Sequence, residues 1–386
     1  MNEQYDKNRT HQIGIDKIQI YNLGLEWPDS IDFKKLTCHD CVKIEEDGMG
    51  RMCFRRLPGE NKGISKIVIT DNKVFSDLII GCTYDGVNKP HEYIYLTMTV
   101  DNAKGSNLYP MSYSEYCDYL KYVLSYIAEE YGIKLRAYNA KIRYIEINAT
   151  ILLKEEFAKY NRALRLLMSF PNKRFGKLST YDSVSKKGND KKLEDESFKR
   201  GNKSIELVIY DKSKQIQDRK KLQFENREIN LPPYLRIEYR LLNQKKVEKE
   251  LGSVFWNDLN DEKIANYFIS KIDDQLLREY EAWQQTRQKD LLKLIKCCRK
   301  NDPKRWHSLL MQEIRNLTEL NGIPYILDIE QVYDAIHCIP NSSRYCNRTI
   351  HAIDKIQVEN DIYKNHDLDK IREIFDSLKA AYNASY

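Results

Sequence analysis

Three short segments constrain the fold more than anything else in this chain. They are Ile142-Arg-Tyr-Ile-Glu-Ile-Asn-Ala-Thr150, Ile205-Glu-Leu-Val-Ile-Tyr-Asp-Lys-Ser213 and Tyr234-Leu-Arg-Ile-Glu-Tyr-Arg240. Each alternates apolar and polar residues, and a strand places alternate side chains on opposite faces. Ile145 and Ile147 share one face of the first, and Tyr144, Glu146 and Asn148 share the other. In the second, Glu206, Val208, Tyr210 and Lys212 oppose Leu207 and Ile209. In the third, Arg236, Glu238 and Arg240 oppose Leu235, Ile237, Tyr239 and Leu241. Each strand therefore has an apolar face and a face with ionisable groups at its centre. If the strands are neighbours, Glu146, Tyr210 and Glu238 converge on the exposed side of a sheet.

The surroundings of these strands set the class. The first ~100 residues read as short strands, at Lys17–Tyr21, Cys41–Glu45, Arg51–Arg55, Ser65–Thr70, Asp77–Thr83 and Tyr93–Val100, separated by turn signals such as Asp47-Gly48 and Pro58-Gly59. A helix is predicted from about Ser112 to Tyr131, capped by Ser112 or Ser114 and stopped by Gly132. The first of the three motif strands runs from about Tyr138 to Leu153. A second helix covers about Lys154 to Phe170, and Pro171 ends it. The other two strands are placed at Ser204–Lys212 and Tyr234–Leu242. From Gln244 onward the pattern is helical, including Glu262–Lys296, Pro303–Asn321 and Leu368–Tyr386. The expected class is α+β, a central antiparallel or mixed β-sheet with flanking helices, followed by an all-helical C-terminal region.

Charge points to a partner. The 386 residues carry 63 Lys+Arg against 57 Asp+Glu, a net +6, so distribution decides more than the total. Asn172–Lys203 holds ten basic residues against five acidic ones and few apolar ones. Lys173, Arg174, Lys177, Lys186, Lys187, Lys199, Arg200 and Lys203 are its candidate phosphate contacts, and it reads as a mobile basic loop. Lys212-Ser-Lys214 follows. Basic runs flanking one short strand suit a phosphate-rich ligand, and Lys214 and Arg236 are assigned to the same DNA surface. A solvated surface loop explains an isolated run of this kind equally well.

Other chemistries lack their signatures. The sequence has no GxxxxGK[ST], no GxGxxG after a strand and no HExxH, and its seven His are dispersed. Cys38-His39-Asp40-Cys41 with Cys53 has partial zinc spacing but no evident fourth ligand beyond His39. Nine scattered Cys fit a reducing compartment. The polar N-terminus is not a secretory signal, and no apolar stretch approaches a membrane span. A cytoplasmic protein is expected.

The polar set on the three strands has a chemical use. A Tyr hydroxyl is a poor nucleophile at its ordinary pKa of about 10. A divalent cation and Lys212 nearby favour its oxyanion. Glu146 and Glu238, with Glu206 as a possible third, offer oxygen ligands for Mg²⁺ or Mn²⁺, which polarises a scissile phosphate. An ordinary sheet with cross-strand Glu/Arg/Lys pairs on its wet face produces the same pattern.

The segments Tyr144-Ile-Glu146, Tyr210-Asp-Lys212 and Arg236-Ile-Glu238 resemble, in order and rough spacing, the replication initiators of filamentous phages, the gene II protein family. They resemble more loosely the plasmid initiators and relaxases that lack paired metal-binding histidines. The likeness covers about residues 90–255. It departs in having Glu146 where Asp is usual and Tyr144 where Arg is common. It implies a rolling-circle replication initiator, an endonuclease whose Tyr210 nicks one strand at an origin through a 5′-phosphotyrosine and later rejoins it. It also implies origin DNA as substrate, a bacterial host cell, and a host helicase, polymerase and single-strand-binding protein as partners. Residues 1–90 would then be the β-rich part of the catalytic region, 91–245 the nicking core and 246–386 a helical C-terminal region. A conjugative relaxase of the same chemistry and a non-catalytic origin-binding protein are the alternatives.

Overall fold

The computed structural model describes residues 13–26, 37–39, 42–46, 52–56, 63–71, 73–84, 91–104, 107–170, 179–181, 197–223, 231–310 and 367–385, with a few isolated positions between. Its strands are β1 (Ile13–Tyr21), β2 (Gly24–Glu26), β3 (Thr37–His39), β4 (Val42–Glu46), β5 (Met52–Arg56), β6 (Gly63–Asp71), β7 (Phe75–Tyr84), β8 (His91–Thr99), β9 (Lys134–Arg136), β10 (Lys141–Leu152), β11 (Ser179–Tyr181), β12 (Ser197–Gly201), β13 (Ile205–Asp211) and β14 (Tyr234–Leu241). Ten of these form one sheet in the order β11-β12-β13-β14-β10-β1-β8-β7-β6-β3, and every pairing in it is antiparallel. The three motif strands are adjacent: β13 pairs with β14, and β14 with β10. The fold is α+β, with a central antiparallel sheet, flanking helices and helices toward the C-terminus, as the patterning implies.

The helices are α1 (Val100–Lys104), α2 (Tyr113–Tyr131), α3 (Asn161–Ser169), α4 (Lys212–Gln223), α5 (Gln244–Leu251), α6 (Asp261–Ile272), α7 (Arg278–Asn301) and α8 (Asp367–Asn383). α2 begins as its sequence dictates. Ser112 accepts from the Glu115 amide while the Glu115 side chain accepts from the Ser112 amide, a complete capping box. Gly132, at φ 68°, closes the helix in the left-handed conformation that glycine adopts without strain.

The apolar face of the sheet is the core. Ile145, Ile147, Ala149, Leu207, Ile209, Leu235 and Ile237 pack there with Tyr116, Leu120 and Val123 of α2 and Leu164 and Leu167 of α3. Val247 of α5, Phe268 of α6 and Ile371, Ile374 and Phe375 of α8 join the same cluster. The C-terminal helix is also pinned by polar contacts. Glu373 accepts from the Lys154 amide and from the Tyr160 hydroxyl, each at 2.9 Å, and Ser385 accepts from the Ile13 amide. No described helix is long and apolar enough to cross a membrane.

Two local expectations are corrected. The second motif strand ends at Asp211, so Lys212 opens α4 instead of continuing the strand. The segment read as one basic loop contains β11 and β12, and β12 extends the sheet beside β13. Phe198 gives the reason: its ring is fully buried in the core and offsets the polarity of its neighbours.

Candidate active site

The polar face of β13, β14, β10 and β1 is as dry as the apolar one over much of its length. Asn148, Thr150, Arg236, Glu238 and Lys212 are at most 1 % exposed, and Tyr210, Asp16 and Glu146 at most 8 %. The expectation of a solvent-exposed cluster is therefore corrected. Two elements cover this face, α4 and the segment from Asn107 to Met111, where Leu108, Ile216, Leu231 and Tyr234 form a small second cluster. Gly14 of β1 lets that segment lie close. The Met111 segment bridges Ile15 through two backbone hydrogen bonds of 2.8 and 3.0 Å, and a Cβ on Gly14 would stand 2.4 Å from the Met111 carbonyl oxygen. Only glycine admits this close crossing.

Register brings the functional groups together. Tyr210 lies opposite Arg236, Val208 opposite Glu238 and Glu206 opposite Arg240; Glu238 lies opposite Asn148 and Arg240 opposite Glu146. The Tyr210 hydroxyl donates to Glu238 Oε2 at 3.2 Å. Arg240 donates to Glu238 Oε1 and stands 3.7 Å from Glu146. The Tyr144 hydroxyl donates to Glu146. Tyr210, Glu238, Arg240 and Glu146 open into a cavity of about 420 Å³ that is also lined by Asp16, Lys17, Asn102 and Gln215.

Asp16 is the residue that sequence patterning misses. It is the extra residue of a bulge: Ile15 pairs with Ile147 and Lys17 with Glu146, so Asp16 has no partner in the register. A bulge turns one side chain out of the strict alternation, and here it turns a carboxylate toward the polar set. Oxygen atoms of Asp16, Glu146 and Glu238 all lie within 4.8 Å of one another. Asp16 Oδ2 is 3.1 Å from Arg236 Nη1, whereas buried Oδ1 has no hydrogen-bond partner among the described residues. Both amide atoms of buried Asn148, beside Glu238 in the register, also lack one. Buried polar atoms are seldom left so. Three converging carboxylates with a spare oxygen fit a hard divalent cation such as Mg²⁺ or Mn²⁺.

The electrostatics agree with that fit. Burial, then the neighbouring Glu238 carboxylate, push the Glu146 carboxyl up to about 7, partly opposed by Arg240. Burial, then Glu238, hold the Tyr210 hydroxyl well above its ordinary value, and Arg236 acts against them. The tyrosine is therefore a neutral donor to Glu238 until positive charge approaches.

The remaining residues assigned from sequence fall as follows. Lys212 is fully buried, donates to Gln215 Oε1 at 2.8 Å and sits 5.7 Å from the Tyr210 ring centroid. Glu206 is not in the carboxylate group: it pairs with Lys199 at 2.6 Å and lies 3.6 Å from Arg240. Arg236 is no surface contact for DNA. It is fully buried, bonded to Thr150 and to the carbonyls of Asn107 and Leu108, because the Gly14 crossing lays that segment over it. Arg200 donates to the carbonyls of Met168 and Ser169. Lys203 is exposed, and Lys214 is half-buried on α4, where its amide donates to Asp211. Lys173, Arg174, Lys177, Lys186 and Lys187 lie outside the described residues, as does Cys41; Cys38 is on β3 and Cys53 on β5.

No family model and no curated protein matches this chain. One solved structure that it resembles is a rolling circle replication initiator protein from Geobacillus stearothermophilus, at 14 % identity and a TM-score of 0.31, over 69 % of this chain and 85 % of that one. A likeness so distant does not bear on activity.

Proposed function

We propose that this chain is a rolling-circle replication initiator, a tyrosine endonuclease that nicks and rejoins one DNA strand. The observation that carries the proposal is the meeting of Tyr210 with the buried carboxylates of Asp16, Glu146 and Glu238, whose oxygens lie within 4.8 Å of one another and one of which accepts the Tyr210 hydroxyl. The order of the three motif strands supports the same reading.

In the proposed reaction the Tyr210 oxygen attacks the scissile phosphorus. The new O–P bond forms as the bond from phosphorus to the 3′-oxygen breaks, leaving a 5′-phosphotyrosine and a 3′-hydroxyl. Glu238 Oε2, which accepts from the Tyr210 hydroxyl at 3.2 Å, would receive the tyrosine proton. Arg236, opposite Tyr210 in the register, stabilises the developing phenolate, and Lys212 adds positive charge beside the ring. This makes Arg236 an activating group and not a strand-binding one. The 3′-oxygen leaves with a proton from water. Rejoining is the reverse attack by a 3′-hydroxyl on the phosphotyrosine, so the bond is conserved and no nucleotide triphosphate is consumed. A divalent cation held by Asp16, Glu146 and Glu238 would polarise the phosphate and offset its charge.

The test is covalent capture. The protein is incubated with Mg²⁺ or Mn²⁺ and single-stranded DNA from its own replicon, then run on a denaturing gel. A metal-dependent band absent from Tyr210→Phe is the expected result. Duplex binding without an adduct from any origin strand would instead support a non-catalytic origin-binding protein.

A further inference from the structure

A second cavity, of about 900 Å³, opens where β1, β8, β10 and β13 reach the start of α5. Its chemistry is the opposite of the first. Arg143 and Lys203, Lys245, Lys246 and Lys249 line it, and among the described residues no carboxylate does. Lys246 is committed to Glu250. Lys203, Lys245 and Lys249 are exposed and have no ion-pair partner among the described residues. Like charges gathered without partners repel one another, an arrangement that favours an anionic ligand.

The cavity also has an aromatic wall. Tyr21 and Tyr95 are cross-strand partners with ring centroids 6.2 Å apart, and Tyr93 lies 5.1 Å from Tyr95. The Arg143 guanidinium is 4.5 Å from the Tyr95 ring centroid. Flat rings and a guanidinium plane beside lysines unpaired among the described residues can serve both halves of a nucleotide, and stacking of this kind tolerates any base.

The two cavities share one face of one sheet. Tyr21 lies on the same side of β1 as Gln19, which donates to Thr97 of β8, and Ser204 lies on the same side of β13 as Glu206. From Lys17 at the first cavity to Tyr21 at the second is four residues of strand, roughly 13 Å, a distance that a few nucleotides cover.

We infer that the cavity bounded by Tyr21, Tyr95, Arg143, Lys203, Lys245 and Lys249 binds single-stranded DNA a few nucleotides from the phosphate held at Tyr210. This rests on the nicking reading and adds where the flanking strand is gripped. The lysines hold its backbone, and Tyr95 with Arg143 stacks on a base.

The experiment is fluorescence anisotropy of the full chain with labelled oligothymidylates of increasing length, in EDTA so that no cleavage occurs. Replacing the three exposed lysines together, Lys203→Ala, Lys245→Ala and Lys249→Ala, is expected to weaken binding about tenfold or more. It should flatten the slope of log affinity against log salt by about two, because single strands contribute ~0.7 per phosphate contact. Tyr95→Leu is expected to weaken binding about fivefold or more with the salt slope unchanged. Thermal melts check that both variants are folded. Wild-type affinity and slope in folded variants would overturn the inference. Equal losses on duplex DNA, with Tyr95→Leu silent, would overturn the assignment to a single strand. Adducts are scored in parallel: adduct formation with unchanged variant binding removes only this site, whereas impaired variant binding without any adduct keeps this site and removes the nicking reading.

Discussion

The two faces of the central strands are buried to a similar depth and do opposite work. On one, Ile145, Ile147, Leu207, Ile209, Leu235 and Ile237 pack hydrocarbon against α2, α3, α6 and α8. On the other, Asp16, Glu146, Asn148, Tyr210, Arg236 and Glu238 are as dry, yet among the described residues leave a carboxylate oxygen and a whole amide without hydrogen bonds. Burial on the first face stabilises the fold at roughly 25 cal/mol per Å² of apolar surface. Burial on the second opposes folding, since buried charge is unfavourable unless fully paired.

The comparison breaks most sharply at Tyr210. Tyr210→Phe removes one hydroxyl and its bond to Glu238, so stability should change by only about 1 kcal/mol. Adduct formation should fall on the order of a thousandfold or more, because a lost nucleophile is not replaced. Denaturant melts and the adduct gel measure the two. A catalytic loss matched by unfolding would mean that the hydroxyl is merely structural.

The apolar face should respond in the reverse sense. Ile147→Ala empties fully buried volume in the core, so unfolding in urea should show a loss of about 2–5 kcal/mol. Nicking per folded molecule should be preserved, since Ile147 points away from Glu146 and Asn148. A nicking defect at full stability would show that the two faces are not separable.

Glu146 sharpens the contrast through pH. Its folded-state carboxyl is raised to about 7 from an ordinary value of 4.5, so the folded state binds the extra proton between those values. Stability is therefore lost as pH rises through that window, and the penalty is complete above it. In metal-free protein at pH 8, Glu146→Gln should raise stability by up to about 3 kcal/mol; near pH 4 the gain should vanish. Calorimetry in EDTA at the two pH values makes the test, and a destabilised variant at pH 8 would contradict it.

The smallest effect separates Asp16 from Glu206. Glu206 sits in a partly exposed pair with Lys199, so Glu206→Gln should change stability by less than about 1 kcal/mol and leave Mn²⁺ affinity alone. Asp16→Asn should weaken Mn²⁺ binding about tenfold or more. Titration calorimetry distinguishes them, and reversed effects would restore Glu206 as the third ligand.

What the sequence disclosed follows from periodicity. Regular alternation in Tyr144–Thr150 and Tyr234–Arg240 marks both faces correctly, and Ser112, one of the two serines offered as a cap, starts α2. Asp16 escapes because a bulge interrupts the alternation, and a strand reading begun at Lys17 stops one residue short of it. Arg236 reads as a surface cation because nothing local reveals the Gly14 crossing that buries it. The strand β12 escapes because Phe198 alone carries its burial within a basic stretch.

The most direct measurement is to find which residue carries the DNA. With 27 tyrosines in the chain, loss of an adduct in one variant does not locate the bond. Protease digestion of the purified adduct, trimming of the DNA and tandem mass spectrometry do. The mechanism requires a nucleotide on the peptide containing Tyr210, joined through its 5′-phosphate. A phosphotyrosine at any other position, or attachment through a 3′-phosphate, would contradict it.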